Sequence, residues 1–163
     1  MKRVGCLLLL AVLLISAGCK EKEVQEITYE PVAYTPVTPD DELKETLTGV
    51  VSTYLSALEN HDYSLLMNCA DDRLPLCNNE TAFYDYTVGI GSALLDGIDF
   101  DCLLQDGKNY LLKVSYTITF TSPFTDIDGQ SKEPCTQEHM EQMTLCPIDG
   151  DYHIIALAET GEG

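Results

Sequence analysis

The sequence predicts an α+β domain in which two or three N-terminal helices pack on a curved four-stranded antiparallel sheet. Three observations carry that prediction. Apolar residues recur at helical spacing from Leu43 to Leu58, the period changes to two from Gly97 onward, and the alternating runs are joined by turns or loops with no helical crossover between them. Helices followed by a run of strands segregate into a fold with helices on one face of the sheet.

The first helix opens at Thr38, read as the N-cap, with Pro39 at the first helical position and Asp40, Asp41 and Glu42 on the positive end of the dipole. Leu43, Leu47, Val50, Val51, Tyr54, Leu55 and Leu58 then form one apolar face. Asn60 and His61 break the pattern, Asp62 caps a short second helix carrying Leu65, Leu66 and Cys69, and residues 71–79 read as a loop. Residues 80–95 pull both ways. Phe83, Tyr84, Tyr86, Thr87 and Val88 favour a strand, whereas the run from Ser92 to Leu95 favours a helix; the segment is read as a third helix.

In the sheet region, Ile98, Phe100, Cys102 and Leu104 alternate with Asp99 and Asp101, and a turn at residues 105–108 follows. Tyr110, Leu112, Val114, Tyr116, Ile118 and Phe120 then alternate with polar residues to give the strongest strand signal in the chain. A loop through Pro123, Asp126, Gly129 and Pro134 leads to a strand from Thr136 to Cys146. Its Met140, Met143 and Leu145 break strict alternation and call for a bulge near Glu141. Asp149 and Gly150 turn the chain into a last strand, Tyr152 to Ala158.

Ahead of the domain, Lys2 and Arg3 precede an uncharged apolar run from Val4 to Ile15, too short to span a bilayer, and Ser16, Ala17 and Gly18 lead directly into Cys19. This segment resembles the lipobox signal of bacterial lipoproteins, with Ser16 standing where a leucine is usual; an ordinary secretory signal is the alternative. The resemblance implies a signal peptide over residues 1–18 and a lipidated Cys19 heading an acidic, proline-containing tether to residue 37. The single domain then occupies residues 38–160, with a frayed tail at 161–163. It also implies a chain anchored in the cell membrane through a diacylglyceryl or N-acylated Cys19 and facing away from the cytoplasm.

Nine Lys and Arg against 27 Asp and Glu give a formal charge of −18 at pH 7. Nucleic acid is therefore repelled rather than steered in, and is not expected as a partner. Cys69, Cys77, Cys102, Cys135 and Cys146 remain once Cys6 and Cys19 are set aside, an odd number. None has CxxC spacing or a nearby histidine at ligand distance, so no metal site is expected. Cys135 and Cys146, read as opposite ends of one strand, lie too far apart to bond. Cys102 is expected as a buried thiol, and Cys69 and Cys77 as the pair with the best local case.

The segment Tyr54 to Leu66, a helix, a short polar break, an aspartate and a second helix, resembles the nuclear transport factor 2-like (ketosteroid isomerase-like, cystatin-like cone) superfamily. The closing hairpin from Met143 through Asp149, Gly150 and Asp151 to Ile154 is similar to that family's terminal strands. The resemblance spans about 120 residues and implies a pocket between sheet and helices, where enzymatic members place an acid or base among apolar walls. Tyr54, Tyr110 and Tyr116 are the candidate lining residues, through hydroxyls on the inward faces of helix and strand.

Other chemistry-bearing residues read as structural. His61 serves a turn, His139 and His153 read as surface residues, and Asp99 and Asp101 as the solvated face of an edge strand. Asp126 to Gly129 and Asp149 to Asp151 lack the ligand set of a calcium loop. No catalytic residue and no cofactor is expected. The expected role is a small-ligand or peptide binding module; the alternatives are a structural or protein-interaction domain using the sheet face, with a homodimer open to it, and, ranked last, a hydrolase or isomerase.

Overall fold

The computed structural model describes residues 33–160; the signal segment, Cys19 and most of the tether lie outside the described residues. No helix among the described residues is long and apolar enough to cross a membrane. The elements run β1 (Thr35–Pro36), α1 (Asp41–Glu59), α2 (Tyr63–Met67), α3 (Glu80–Thr87), β2 (Ile90–Asp106), β3 (Asn109–Phe120), β4 (Phe124–Thr125), β5 (Ser131–Lys132), β6 (Thr136–Ile148) and β7 (Asp151–Glu159).

Among the described residues the sheet has five antiparallel strands in the order β1-β2-β3-β6-β7, not four, and β4 and β5 form a separate small hairpin. The added strand comes from what the sequence reads as tether: Thr35 and Pro36 pair with Gln105 and Leu104 of β2. Two residues are too few to show a period, and Pro36, which has no N–H to give, fits the edge of a sheet.

α1 buries Leu47, Val51, Tyr54, Leu55 and Leu58, the stripe expected from the spacing. Its cap is Asp40 rather than Thr38. The Asp40 carboxylate accepts the Leu43 N–H at 2.8 Å, and a charged acceptor at the positive end of the dipole outcompetes a hydroxyl two residues earlier. Asp62 caps α2 in the same way, accepting from Leu65 N at 2.9 Å.

The third helix is half the length expected. α3 buries Phe83 and Tyr86 and stops at Thr87, and residues 92–95 are strand. The switch occurs where the chain meets its neighbour closely: a Cβ on Gly89 would stand 2.6 Å from the backbone carbonyl oxygen of Ser122, and one on Gly91 would stand 2.5 Å from Cγ2 of the Thr121 side chain. Only glycine admits that approach, which lets Ile90 and Ala93 pair with Phe120 and Ile118.

Two further corrections concern register. The Asp99 side chain accepts the N–H of Asp101 at 3.1 Å and of Cys102 at 3.3 Å, and the ladder between β2 and β3 is irregular from Asp99 to Leu104. Leu103 turns inward in consequence, and Cys102 is exposed rather than buried. β6, by contrast, pairs with β3 without interruption from Thr136 to Leu145, so there is no bulge near Glu141; the irregularity of β6 lies on its other side, against β7, between Thr144 and Leu145. The five cysteines among the described residues are all free thiols, Cys69 and Cys77 included.

The core fills the space between α1 and the inner sheet face, where Leu103, Leu112, Met143, Leu145 and Ile154 have no exposed surface. A second apolar layer joins Tyr86 of α3 to Phe120 and Phe124, whose rings stack at 3.6 Å.

Candidate functional site

An unbroken β6 ladder decides which side chains face inward. Residues paired across antiparallel strands share a face, so the inward positions of β3 carry those of β6 with them: Leu112 with Met143, Val114 with Glu141, Tyr116 with His139. Met140, the apolar residue that disturbs the sequence pattern, points outward and is 62% exposed. The polar neighbours Glu141 and His139 point into the cone.

They line a cavity of about 240 Å³. α1 contributes Tyr54, α3 Tyr86, β3 Tyr116, and the loop between α2 and α3 supplies Leu74 to Cys77; Leu157 and Glu159 of β7 and Ile127 of the small hairpin complete the wall. The loop is held by the Tyr63 hydroxyl, which donates to the Cys77 carbonyl. The hairpin is held by Asp126, whose Oδ1 accepts from Gln130 N at 2.8 Å and from Asp128 N at 3.1 Å while Oδ2 meets Lys132 Nζ at 3.2 Å. Those contacts make the Asp126 to Gly129 segment a turn.

The His139 ring lies parallel to Tyr116, 4.7 Å between centroids and 7° between planes. Its Nδ1 is 3.6 Å from Glu141 Oε1, and the two side chains are 22% and 12% exposed. His139 Nε2 and Glu141 Oε2 are buried with no hydrogen-bond partner among the described residues. Such atoms are uncommon in folded proteins, because leaving a buried polar group unpaired costs roughly 1–3 kcal/mol.

Burial is the main reason that the Tyr54, Tyr86 and Tyr116 hydroxyls ionise well above the usual tyrosine range, and the Glu141 carboxylate pushes all three further in the same direction. They are neutral at physiological pH, able both to donate and to accept. Cys77 is also buried, which pushes its thiol up to about 11, and Cys69 behind it is pushed up to about 12. Neither offers a thiolate nucleophile at neutral pH.

Of the three expected lining residues, the fold brings Tyr54 and Tyr116 to the cavity. Tyr110 shares the inward face of β3 but sits six residues away towards the hairpin end, edge to face with Tyr152 at 5.6 Å and bonded to Gln105. Tyr86, His139 and Glu141 are the residues that sequence reasoning missed. Counting back by twos from Leu145 was the signal available for the last two. His61 is exposed in a left-handed turn, φ 55°, and His153 is half-buried opposite Cys146. Among the described residues no cluster of histidine, cysteine or carboxylate side chains could hold a metal ion.

No protein-family model and no curated protein matches the chain. Its fold is similar to that of an uncharacterised Caulobacter vibrioides protein with a cystatin-like fold, at 12% identity and a TM-score of 0.51 over 73% of this chain and 89% of that one. A Xanthomonas campestris chain described as a calcium/calmodulin dependent protein kinase II association domain superposes with a TM-score of 0.49 and 15% identity, covering 82% of this chain and 99% of that one. The likeness to the Caulobacter vibrioides protein shows a cystatin-like fold, here of the α+β class.

Proposed function

We propose that this chain is an extracytoplasmic lipoprotein of the nuclear transport factor 2-like type, anchored through Cys19, whose domain binds a small molecule inside the cone. The observation that carries the binding reading is the cavity with its two unpartnered polar atoms, His139 Nε2 and Glu141 Oε2. A ligand that hydrogen-bonds them offsets the cost of leaving them unpaired. The apolar walls supply the affinity and the hydroxyls the orientation.

Titration of the ¹⁵N-labelled chain with benzyl alcohol, a neutral probe that fits the volume, tests this. Amide shifts concentrated around Tyr54, Tyr86, Tyr116 and Leu157 are expected; shifts scattered over the outer surface, or none, refute the reading. The anchor is tested separately by Cys19→Ser, which is expected to release the chain from the membrane fraction. Retention there after mild salt and base washes would sink the lipobox assignment.

A second reading, an interaction domain, draws on the outer sheet face, where Leu94 and Met140 are 58% and 62% exposed. Single exposed apolar residues are ordinary on protein surfaces, so it ranks below the first.

A further inference from the structure

Resting on the binding reading above, we infer that the cavity selects a small organic cation, an ammonium group on a compact apolar body, over neutral and anionic molecules of the same shape. The charges at the cavity point one way. Glu141 lies in its wall and Glu159 at its β7 side, and neither lysine nor arginine lines it among the described residues. His139 is the remaining base, already 3.6 Å from Glu141. Protonated, it balances Glu141 and leaves Glu159; neutral, it leaves both carboxylates uncompensated. In either state the lining is net negative.

The other polar groups accommodate a cation too. Three neutral tyrosine hydroxyls carry acceptor lone pairs, and at each of them Glu141 adds to the upward displacement that burial chiefly causes. An ammonium brings the donors that Glu141 Oε2 lacks. An anion would instead meet a carboxylate in a poorly solvated site. At long range, a chain of charge −18 draws cations in and repels anions. The volume bounds the size: 240 Å³ is below the roughly 300–1,000 Å³ of sites for drug-sized ligands. The ligand is of simple-amine size, with its apolar part against Leu74, Leu76 and Leu157.

The test compares benzylamine, benzyl alcohol and benzoate at pH 7, one ring carrying three charges, by amide-shift titration of the full chain. Benzylammonium is expected to bind at least about tenfold more tightly than the alcohol, in line with one charge-assisted hydrogen bond, and benzoate most weakly. Glu141→Gln should bring the amine affinity close to that of the alcohol in the same variant, and amide shifts unchanged away from the cavity show that the variant is folded. Glu159→Gln, at an exposed position, should weaken the amine by a smaller factor. Equal or tighter binding of alcohol or benzoate, with shifts still centred on the cavity, overturns the charge preference and leaves the binding reading standing. An amine preference untouched in both variants overturns it as well. If none of the three probes moves the Tyr54, Tyr86 and Tyr116 amides, the binding reading itself fails and the inference falls with it.

Discussion

The two halves of the inner face of β6 share one ladder and one partner strand, yet do opposite things. Met143 and Leu145 face inward with no exposed surface. Two and four residues earlier, Glu141 and His139 occupy the same face, and each leaves a buried polar atom unpartnered. The pairing with β3 is uninterrupted through both halves, so the difference lies in the side chains and not in that register. One half obeys the inward-apolar pattern and supplies stability; the other departs from it and gives stability up. Departures of that kind are expected where a chain keeps a site.

Breaking the apolar half should have the largest effect. Leu145→Ala is expected to cost about 2–5 kcal/mol, as buried leucine truncations do, read from the urea midpoint. A shift no bigger than that of Ser56→Ala, on the half-buried flank of α1, would erase the contrast. The polar half should respond with the opposite sign. Replacing His139 by Phe and Glu141 by Met together should leave stability unchanged or raise it by about 1–4 kcal/mol, because apolar isosteres remove the unpaired groups. The same double variant should lose amine binding, and a lowered urea midpoint would show that the pair is structural.

Two smaller tests sharpen the comparison at the wall of the cavity. Tyr63→Phe removes the bond to the Cys77 carbonyl and is expected to cost about 1 kcal/mol, with larger shift changes in residues 74–77 than elsewhere. Asp71, beside Arg73, has its carboxyl held down to about 2 from 3.8, chiefly by the Arg73 side-chain hydrogen bond. Its folded-state value is the depressed one, so its contribution is fully present above pH 4 and disappears as the pH falls from about 3.8 through about 2. Asp71→Asn should therefore flatten the loss of stability across that window, and an unchanged acid limb would show that the pair contributes nothing.

What the sequence makes legible follows from which forces act locally. The α1 stripe, the Asp62 cap and the inward face of β3 depend on neighbours within a turn or two, and all are found as expected. Tyr54 and Tyr116 came with them. Features set by contacts between distant segments were not visible. Gly89 and Gly91 stop α3 because Ser122 and Thr121 approach them, and nothing in residues 80–95 announces that neighbour. At Asp99 a side chain turns back on its own backbone, which moves Leu103 inward and Cys102 outward against the alternation. Met140 misled in the other direction: reading an exposed methionine as core required a bulge at Glu141, and that bulge hid the two polar residues of the cavity.

Ile154 closes a matter that neither cavity nor core addresses, the exposed margin of the sheet at β7. Its N–H donates to the Cys69 carbonyl at 2.9 Å, its carbonyl accepts the Asp71 N–H at 2.9 Å, and Ala70 forms a parallel bridge with it. The midpoint of this border strand is already hydrogen-bonded on its outer side. A foreign strand adding along β7 would have to displace both bonds before it could zip past Ile154. Intermolecular sheet growth on this side is limited to short stretches, a safeguard against aggregation that costs the domain one loop.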